Sequence, residues 1–454
     1  MARRPNILVF FSDQQRWDTC GCYGQPLDIT PNLDRMASEG VRFDLAFTPQ
    51  PVCGPARAAI QTGKYPTEIG CHTNHRRLPG DETTIAHRLR AAGYEAGYIG
   101  KWHLASFGPD GSPDNFRVRP VPPDRRGGYD DFWLASDVLE YTSYGYGGHM
   151  FDGDGAQRDF PEGRFRADAQ TDWVLEYLRE RRDAGRDGNR PFFLFASYIE
   201  PHHQNNRGHY EGPTGSRQRF AEFATPGDLA DADGDWREEY PDYLGCCAAL
   251  DANLGRIGDE LDRLGLADNT LLAYTSDHGS HFRTRNGEYK RSCHDASLRV
   301  PMVFRGSGFS GGTVSDALVS LIDLPPTLLT AGGVDVPETM RGRALQPLAD
   351  GPAPDDWPDD VFAQISESHC GRTVRTKRWK YAVRAPDKSG GEPDSEVYVE
   401  DFLYDLEADP HERDNRVADP SLAEVRSELA QRLTRRMTAV GEAAPTIRPA
   451  TGEA

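Results

Sequence analysis

Lysine is scarce in this chain of 454 residues, because only six of its 52 basic residues are lysine and the rest are arginine. Acidic residues number 71, which gives the chain a net charge of −19. A chain this acidic lacks the basic patches with which proteins bind nucleic acid, so we expect no nucleic-acid partner. An anionic small molecule remains a feasible ligand wherever several cations cluster locally.

Long hydrophobic runs are also absent. No stretch approaches the ~20 consecutive apolar residues of a membrane-spanning helix, so we expect no membrane partner. The N-terminal "RRPNILVFFSD" contains a short apolar run, but an acid ends it and no small-residue cleavage site follows. We interpret it as a buried strand rather than a signal peptide. The eight cysteines form neither CxxC pairs nor a disulfide-like framework, which favours a reducing, cytoplasmic location.

Strand-like and helix-like segments alternate along the first 355 residues. Continuous apolar runs typical of buried parallel strands are residues 5–12, "EAGYIGKW", "PFFLFASYIE" and "NTLLAYTSD". Helical patterns separate them, such as "ADAQTDWVLEYLRERR" and residues 240–265. This alternation predicts an α/β domain over residues 1–355, with a large mixed, mostly parallel sheet flanked by helices.

The pattern changes near residue 355, after the linker-like "DDWPDD". The segments "VFAQISES", "RTVRTKRWKYAVR" and "VYVEDFLYDL" are typical of antiparallel strands, and residues 421–440 of a closing helix. We therefore expect residues 356–454 to form a small C-terminal α+β subdomain with an antiparallel sheet.

Polar residues follow four of the predicted strands. Ligands of open parallel sheets bind outside the carboxyl ends of the strands, so these residues are the candidates for a site. They are Asp13 and Gln14, Lys101 and His103, Glu200, His202 and His203, and Asp277, His278 and His281. Each alone has an ordinary explanation as a helix cap, a loop residue or a turn residue. Together they predict one site where groups able to bind metal or transfer protons converge.

The candidate metal ligands are mostly oxygen atoms. Asp13, Gln14 and Asp277 supply carboxylate and amide oxygens and His278 supplies an imidazole, and we expect the group at position 53 to complete the set. Such ligands suit Ca²⁺, Mg²⁺ or Mn²⁺. Lys101 and Lys290 stand beside this set in a chain that favours arginine. An ammonium, unlike a guanidinium, can donate a proton when its pKa is lowered.

Cys53 lies in "PVCGPAR", directly before the helical pattern "AAIQTGKY". A thiol there could be a packed core residue, half of a disulfide, a metal ligand, a nucleophile or the precursor of a modified residue. The start of a helix offers unpaired N–H groups and the positive end of the dipole, which both favour an oxyanion. Arg57 lies one turn further on and can reach back to the group at position 53.

The order of these motifs resembles a known family. C-x-P-x-R (Cys53 to Arg57) follows "PNILVFFSDQ" and precedes "GKWHL", "PHH", "SDHG", "RVP" and the late "LYDLEADPHERDN". This combination resembles the type I, formylglycine-dependent sulfatases of the alkaline-phosphatase superfamily along most of the chain. The resemblance implies an alkaline-phosphatase-like fold and a sulfatase, which hydrolyses a sulfate ester to alcohol and inorganic sulfate. It also implies one divalent metal, Ca²⁺ first, with Mn²⁺ or Mg²⁺ as alternatives.

The resemblance further implies a modified residue and a set of catalytic roles. A formylglycine-generating enzyme reads C-x-P-x-R and oxidises Cys53 to formylglycine (3-oxoalanine), whose hydrated form attacks the ester and later releases the anion. His103 is the base for that release. The implied catalytic residues are Cys53, Arg57, Lys101, His103, His202 and Lys290, and the implied substrate-binding residues are Asn74, Lys101, His202 and Lys290. His202 and Lys290 lie on the leaving-group side, where one protonates the departing oxygen.

Two departures from the better-known sulfatases leave the substrate open. Asp13-Gln14 replaces two consecutive acids, and Asp277-His278 replaces the Asp-Asn of several members, so one carboxylate is lost. This set is also similar to that of phosphonate monoester hydrolases and phosphodiesterases. Three hypotheses follow: a sulfatase acting on a small anionic ester such as a sulfated sugar, a phosphonate monoester or phosphodiester hydrolase with the same site, and a non-catalytic binder of sulfated glycans. The sequence leaves a homo-oligomer open.

Two loop-rich segments, residues 105–165 and 203–240, are rich in Gly, Asp, Arg, Tyr and His. We expect them to shape the mouth of the pocket. His149, Arg207 and His209 are the candidates for contact with a sugar or a carboxylate.

Overall fold

The structure is a computed structural model that describes residues 4–107, 114–188 and 190–450. Residues 108–113 of the first predicted loop lie outside this description. The described residues form an 11-stranded sheet and a second, 5-stranded sheet. The strands of the large sheet are β1 (Asn6–Ser12), β2 (Val41–Phe47), β3 (Glu95–Lys101), β4 (Phe132–Ser136), β5 (Ser143–Tyr144), β6 (Gly147–Asp152), β7 (Gln157–Asp159), β8 (Phe192–Ser197), β9 (Thr270–Ser276), β10 (Met302–Arg305) and β11 (Thr313–Ser320).

The large sheet is mixed and mostly parallel. Its strand order is β11-β2-β10-β9-β1-β8-β3-β4-β6-β5, and β7 pairs with β6. The five central strands β9, β1, β8, β3 and β4 are parallel to one another, and β11 is parallel to β2. β10 is antiparallel to both of its neighbours, and β5, β6 and β7 extend the sheet antiparallel. The predicted fold class is confirmed.

Helices cover both faces of this sheet. The α-helices of the described residues are α1 (Pro31–Glu39), α2 (Cys53–Thr62), α3 (Ile85–Ala91), α4 (Arg166–Gly188), α5 (Ser216–Arg219), α6 (Trp236–Leu264), α7 (Asp295–Leu298), α8 (Leu324–Ala331) and α9 (Ala423–Ala439). Residues of α2, α3 and α8 form one apolar core with the sheet, and residues of α1, α4 and α6 form the other.

β1 shows why an uninterrupted apolar run becomes a central strand. All of its residues are buried. Ile7, Val9 and Phe11 pack into one core, whereas Leu8 and Phe10 pack into the other. Successive side chains of a strand point to opposite faces, so a strand covered on both faces needs apolar residues at every position.

The second sheet is formed by β12 (Asp360–Ile365), β13 (Gly371–Thr376), β14 (Trp379–Arg384), β15 (Val397–Asp405) and β16 (Thr446–Arg448). The first four strands are antiparallel in sequence order, and β16 adds parallel to β15. The helix α9 packs on this sheet through Leu429, Leu433 and Met437. The segment "RTVRTKRWKYAVR" is a hairpin of two strands rather than one. The domain boundary near residue 355 stays a prediction.

Within the described ranges, no helix combines the length and the apolar character needed to cross a membrane.

Candidate active site

The four predicted strand ends meet at one edge of the large sheet. β9, β1, β8 and β3 are adjacent and parallel, so their carboxyl ends lie side by side. α2 begins at Cys53, as the sequence predicts, and the Cys53 side chain lies among the residues that follow β1 and β9. Its sulfur is 3.4 Å from Asp13 Oδ1 and 3.3 Å from His278 Nε2.

A compact group of ligand atoms occupies this edge. One potential ligand atom from each of Asp13, Cys53, Asp277 and His278 lies within 4.8 Å of the others, and all four residues are buried. His278 Nδ1 donates to the carbonyl of Gly279 at 2.9 Å, so Nε2 is the ring nitrogen whose lone pair can accept a proton or bind a metal. This geometry is compatible with a single metal ion.

Two buried oxygen atoms support a cation site. Across the described residues, neither Gln14 Oε1 nor Asp277 Oδ2 has a hydrogen-bond partner, although both are buried. Gln14 Nε2 donates to Tyr210 Oη at 2.5 Å and to Ser280 Oγ at 3.2 Å, which leaves Oε1 as the unused acceptor. Buried polar atoms are almost always paired in folded proteins, so such exceptions often mark an ion. Three oxygen-bearing side chains and one imidazole fit Ca²⁺, Mn²⁺ or Mg²⁺.

Buried cations surround the ligand atoms. Asp13 Oδ2 lies 2.9 Å from Arg57 Nη2 and 2.7 Å from Lys101 Nζ. Lys290 Nζ lies 2.8 Å from Cys53 Sγ and 3.2 Å from Nε2 of both His202 and His278, which matches the three N–H groups of an ammonium. A chain of strongly negative net charge therefore concentrates positive charge at this site, which favours an anionic substrate.

The two carboxylates differ in their ionisation. Burial raises the pKa of Asp13, but the charges of Lys101 and Arg57 outweigh burial and hold this pKa well below its usual range. Burial, followed by the charge of Asp13, raises the pKa of Asp277 to about 7. Asp13 is therefore ionised at neutral pH, whereas Asp277 needs a cation to stabilise its charge fully.

The pKa values of the two lysines of the site are raised. Burial lowers the pKa of Lys101, but Asp13 outweighs burial and raises this pKa overall. The pKa of Lys290 is also raised, because its contacts with Cys53, Tyr289 and Asp13 outweigh burial. Their surroundings therefore hold both ammonium groups in the charged form.

The environment of Cys53 restricts the alternatives for its thiol. Burial, with the charge of Asp13 next, raises the pKa of Cys53 to about 12. A thiol with this pKa is protonated at neutral pH and is a poor nucleophile, since the thiolate is the reactive form. All eight cysteines lie within the described ranges and each is a free thiol, which rules out the disulfide alternative.

Asn74 lies directly beside the start of α2. Its Oδ1 accepts a hydrogen bond from the backbone N–H of Gly54 at 2.8 Å, and its own backbone N–H donates to Glu367 Oε1 at 2.5 Å. The predicted substrate-binding amide is therefore adjacent to Cys53, and a residue of the C-terminal sheet region holds it there.

The two candidate proton-transfer histidines are neutral. His202 Nδ1 donates to the carbonyl of His203 at 2.6 Å, so its Nε2 accepts from Lys290. His103 has a left-handed backbone with φ of 60°, and within the described structure its buried Nδ1 has no partner. Burial, then the charge of Lys101, lowers the pKa of both rings well below the usual value. Both imidazoles can therefore accept a proton.

Other predicted residues lie outside the ligand group. Glu200 pairs with Arg166 at 2.8 Å, and His281 Nε2 donates to the carbonyl of Lys290 at 2.9 Å. His203 stacks on Tyr289. His149 packs edge-on against Phe151, and a separate cavity of about 320 Å³ contains Arg207 and His209 in its wall.

Sequence reasoning missed two residues that touch the site. Ser197, the last residue of β8, accepts from Arg57 Nη1 at 2.7 Å, and the strand-end rule could have found it. Glu140 Oε2 lies 3.4 Å from Lys101 Nζ. Glu140 follows β4, a strand inside the loop-rich segment 105–165, where the sequence shows no strand signal.

The fold and the site together define an α/β protein with a large mixed sheet and a buried group of side chains that could hold a cation. The family model named Sulfatase matches residues 5–334, and the model named N-sulphoglucosamine sulphohydrolase, C-terminal, matches residues 287–439. The chain belongs to the sulfatase family, and it is a sulfuric ester hydrolase. The identification made from the motifs is confirmed.

Individual relatives agree with this assignment. An ulvan-active sulfatase of Formosa agariphila is 28% identical, over 97% of this chain and 82% of its own. An N-acetylglucosamine-6-O-sulfatase of Bacteroides thetaiotaomicron is 28% identical, over 95% of this chain and 86% of its own. A structure solved with its substrate D-glucosamine-2-N,6-O-disulfate has a TM-score of 0.76 at 25% identity, and the match covers 96% of this chain and 98% of that one.

Proposed function

We propose that this sulfatase removes a sulfate ester group from a sugar. The support comes from the names of the relatives, which include an N-acetylglucosamine-6-O-sulfatase and an enzyme active on ulvan, and from a similar structure with a sulfated glucosamine as substrate. The observation that carries the proposal is the position of Cys53 at the start of α2, within 4.8 Å of three potential ligand residues and beside Lys290.

We further propose that Cys53 is converted to formylglycine. The thiol is neutral and buried, and the C-x-P-x-R pattern of the maturation enzyme's substrate is intact. The modified residue would supply a hydrated aldehyde as the attacking group. The chain itself supplies the first N–H groups of α2, which favour a developing negative charge, and the guanidinium of Arg57, whose position Asp13 and Ser197 fix.

A divalent cation completes the proposed site. Asp13, Gln14, Asp277 and His278, together with the group at position 53, would hold it. Because most of these ligand atoms are oxygen, Ca²⁺ is our first choice for the metal, with Mn²⁺ or Mg²⁺ as alternatives. The cation would supply polarisation of the transferred group and neutralisation of its charge.

The remaining residues bind the substrate and move protons. We propose that Lys101 and Asn74 contact the sulfate group. Lys101 pairs with Asp13 beside Cys53, and Asn74 accepts a hydrogen bond from Gly54, the residue after Cys53. Lys290 and His202 share a hydrogen bond at 3.2 Å and would deliver a proton to the departing alcohol. His103 would accept a proton on the nucleophile side. Such proton transfers contribute about 10²–10⁴ to a rate.

A substrate panel tests this proposal. Protein coexpressed with a formylglycine-generating enzyme is assayed on sulfated mono- and disaccharides, aryl sulfates, phosphodiesters and phosphonate monoesters, and kcat/KM is compared for each. We expect release of inorganic sulfate from a sulfated sugar, with Cys53→Ala as the inactive control. A higher kcat/KM for a phosphonate or phosphodiester would favour the second hypothesis. Binding of sulfated sugars without turnover would favour the third.

The location of the protein is a separate proposal. We expect it in the cytoplasm on the basis of its free cysteines, and fractionation of the source cells tests this.

A further inference from the structure

Glu140, Asn205 and Tyr289 form a hydrogen-bonded chain at the rim of the active site, which we call the rim bridge. Asn205 Nδ2 donates to Glu140 Oε1 at 2.8 Å, and Tyr289 Oη donates to Asn205 Oδ1 at 2.5 Å. Glu140 and Tyr289 are buried, whereas Asn205 is exposed. One amide side chain at the surface therefore connects two buried residues that come from different loops.

The two ends of the rim bridge contact different parts of the site. Glu140 Oε2 lies 3.4 Å from Lys101 Nζ, the ammonium that pairs with Asp13. Tyr289 directly precedes Lys290 in the sequence, and the Lys290 ammonium lies 5.4 Å from the centre of the Tyr289 ring. The rim bridge thus links the lysine beside Asp13 with the lysine beside Cys53.

A second contact of Asn205 leads to His202. His203 Nδ1 donates to Asn205 Oδ1 at 3.1 Å, and the His203 carbonyl accepts from His202 Nδ1 at 2.6 Å. The rings of His203 and Tyr289 are stacked, with centres 5.0 Å apart. Asn205 therefore holds both residues that adjoin the His202–Lys290 pair, one through His203 and the other through Tyr289.

We propose that the rim bridge sets the distance and orientation of His202 and Lys290 for proton delivery to the departing alcohol. Glu140, Asn205 and Tyr289 are positioning residues in this proposal, since none of them touches the group at position 53. As the attacking oxygen of the group at position 53 bonds to sulfur, the S–O bond to the alcohol breaks and its electron pair stays on the ester oxygen. That oxygen takes a proton from the His202–Lys290 pair. The inference rests on the proposed function.

Positioning matters because proton transfer requires a heavy-atom distance of about 2.6–3.2 Å. The His202–Lys290 distance of 3.2 Å lies at the upper end of this range. Misplacement by about 1 Å can cost on the order of 10²-fold in rate. The cost falls only on substrates that need the proton, because a stable leaving group such as 4-nitrophenolate departs without one.

Tyr289→Phe tests the inference, since it removes one hydroxyl and keeps the ring against Lys290. We expect kcat for a sugar sulfate to fall about tenfold or more, because the pair loses one of its two supports. We expect kcat for 4-nitrophenyl sulfate to change less than about twofold, because that leaving group needs no proton. Asn205→Ala, a change at the surface, removes both supports, so its loss on the sugar sulfate should exceed that of Tyr289→Phe.

Tyr129→Phe is the matched control. The Tyr129 hydroxyl is also buried, and it donates to Gln61 Oε1 at 2.9 Å within the core. Its loss should leave the ratio of the two rates unchanged. Equal losses of Tyr289→Phe and Asn205→Ala on both substrates, or no loss on the sugar sulfate, would overturn the inference alone. A wild-type enzyme that releases sulfate from neither substrate would overturn the proposed function, and the inference with it.

Discussion

Asp13 is the carboxylate that balances two buried cations of the site. Its Oδ2 lies 2.7 Å from Lys101 Nζ and 2.9 Å from Arg57 Nη2, and all three side chains are at most 3% exposed. Asp13→Asn removes the negative charge and leaves both cations without it. Breaking a buried ion pair by removing one partner costs about 3–5 kcal/mol. We expect the free energy of unfolding of the metal-free protein to fall by about this amount.

Asp277→Asn is a matched control for the loss of a carboxylate ligand. Its Oδ2 lies 3.6 Å from Arg57 Nε and accepts no hydrogen bond from the described residues. The raised pKa of Asp277, about 7, means that its charge is costly in the metal-free protein. An asparagine oxygen can still accept from the backbone N–H groups of Gln14 and His278. We expect this variant to keep or increase the metal-free stability.

Urea unfolding of both variants at pH 7 after treatment with a chelator measures the difference. Added Ca²⁺ should stabilise the wild type by about 2.7 kcal/mol at a hundredfold excess over its Kd, and both variants should lose this gain. Equal metal-free stabilities of Asp13→Asn and Asp277→Asn would refute the reasoning, because they would show that the cations do not depend on Asp13.

Two further predictions concern neighbouring residues. Burial lowers the pKa of His281 to about 4. At a pH between this value and the ordinary histidine pKa, the His281 ring binds a proton in the unfolded chain but not in the native protein. The free energy of unfolding should therefore decrease by up to ~3 kcal/mol as pH falls from about 6.5 to 4, and less in His281→Gln; identical pH profiles would contradict this. Glu367 accepts from the Asn74 N–H and pairs with Arg291 at 2.6 Å. Glu367→Gln removes the charge that pairs with Arg291 and weakens this support of Asn74, so it should lower kcat/KM about tenfold, and unchanged kinetics would contradict its role.

Much of the fold and of the site's location could be predicted, because both depend on local patterns. Continuous apolar runs such as "NILVFFS" and "TLLAYTS" indicate strands that are buried on both faces. Since these strands are parallel and adjacent, the polar residues after them necessarily share one edge of the sheet. The grouping of Asp13, Asp277 and His278 follows from these two facts.

The rim bridge could not be predicted, because its contacts depend on tertiary structure. Glu140 follows a five-residue strand within a segment rich in glycine and aspartate, where no strand signal stands out. Asn205 and Tyr289 are 84 positions apart, and only the folded chain brings the amide to the hydroxyl. A sequence pattern shows which elements form, but it does not show which polar side chains from different loops pair.

The ionisation of the lysines illustrates the same limit. Composition drew attention to Lys101 and Lys290, and both lie in the site. Their pKa values rise because of neighbours whose distances no sequence gives: Asp13 at 2.7 Å from Lys101, and Cys53 at 2.8 Å from Lys290. The residue types indicated the place, whereas the charge state depends on the partners.

The central claim is that the attacking group derives from an aldehyde at position 53 rather than from a thiol. Peptide mass spectrometry on preparations with and without the maturation enzyme gives the fraction of position 53 that is aldehyde, and sulfate release is measured on the same preparations. We predict that kcat per mole of protein rises in proportion to this fraction and vanishes with it. Full activity in protein whose Cys53 is entirely thiol would contradict the account.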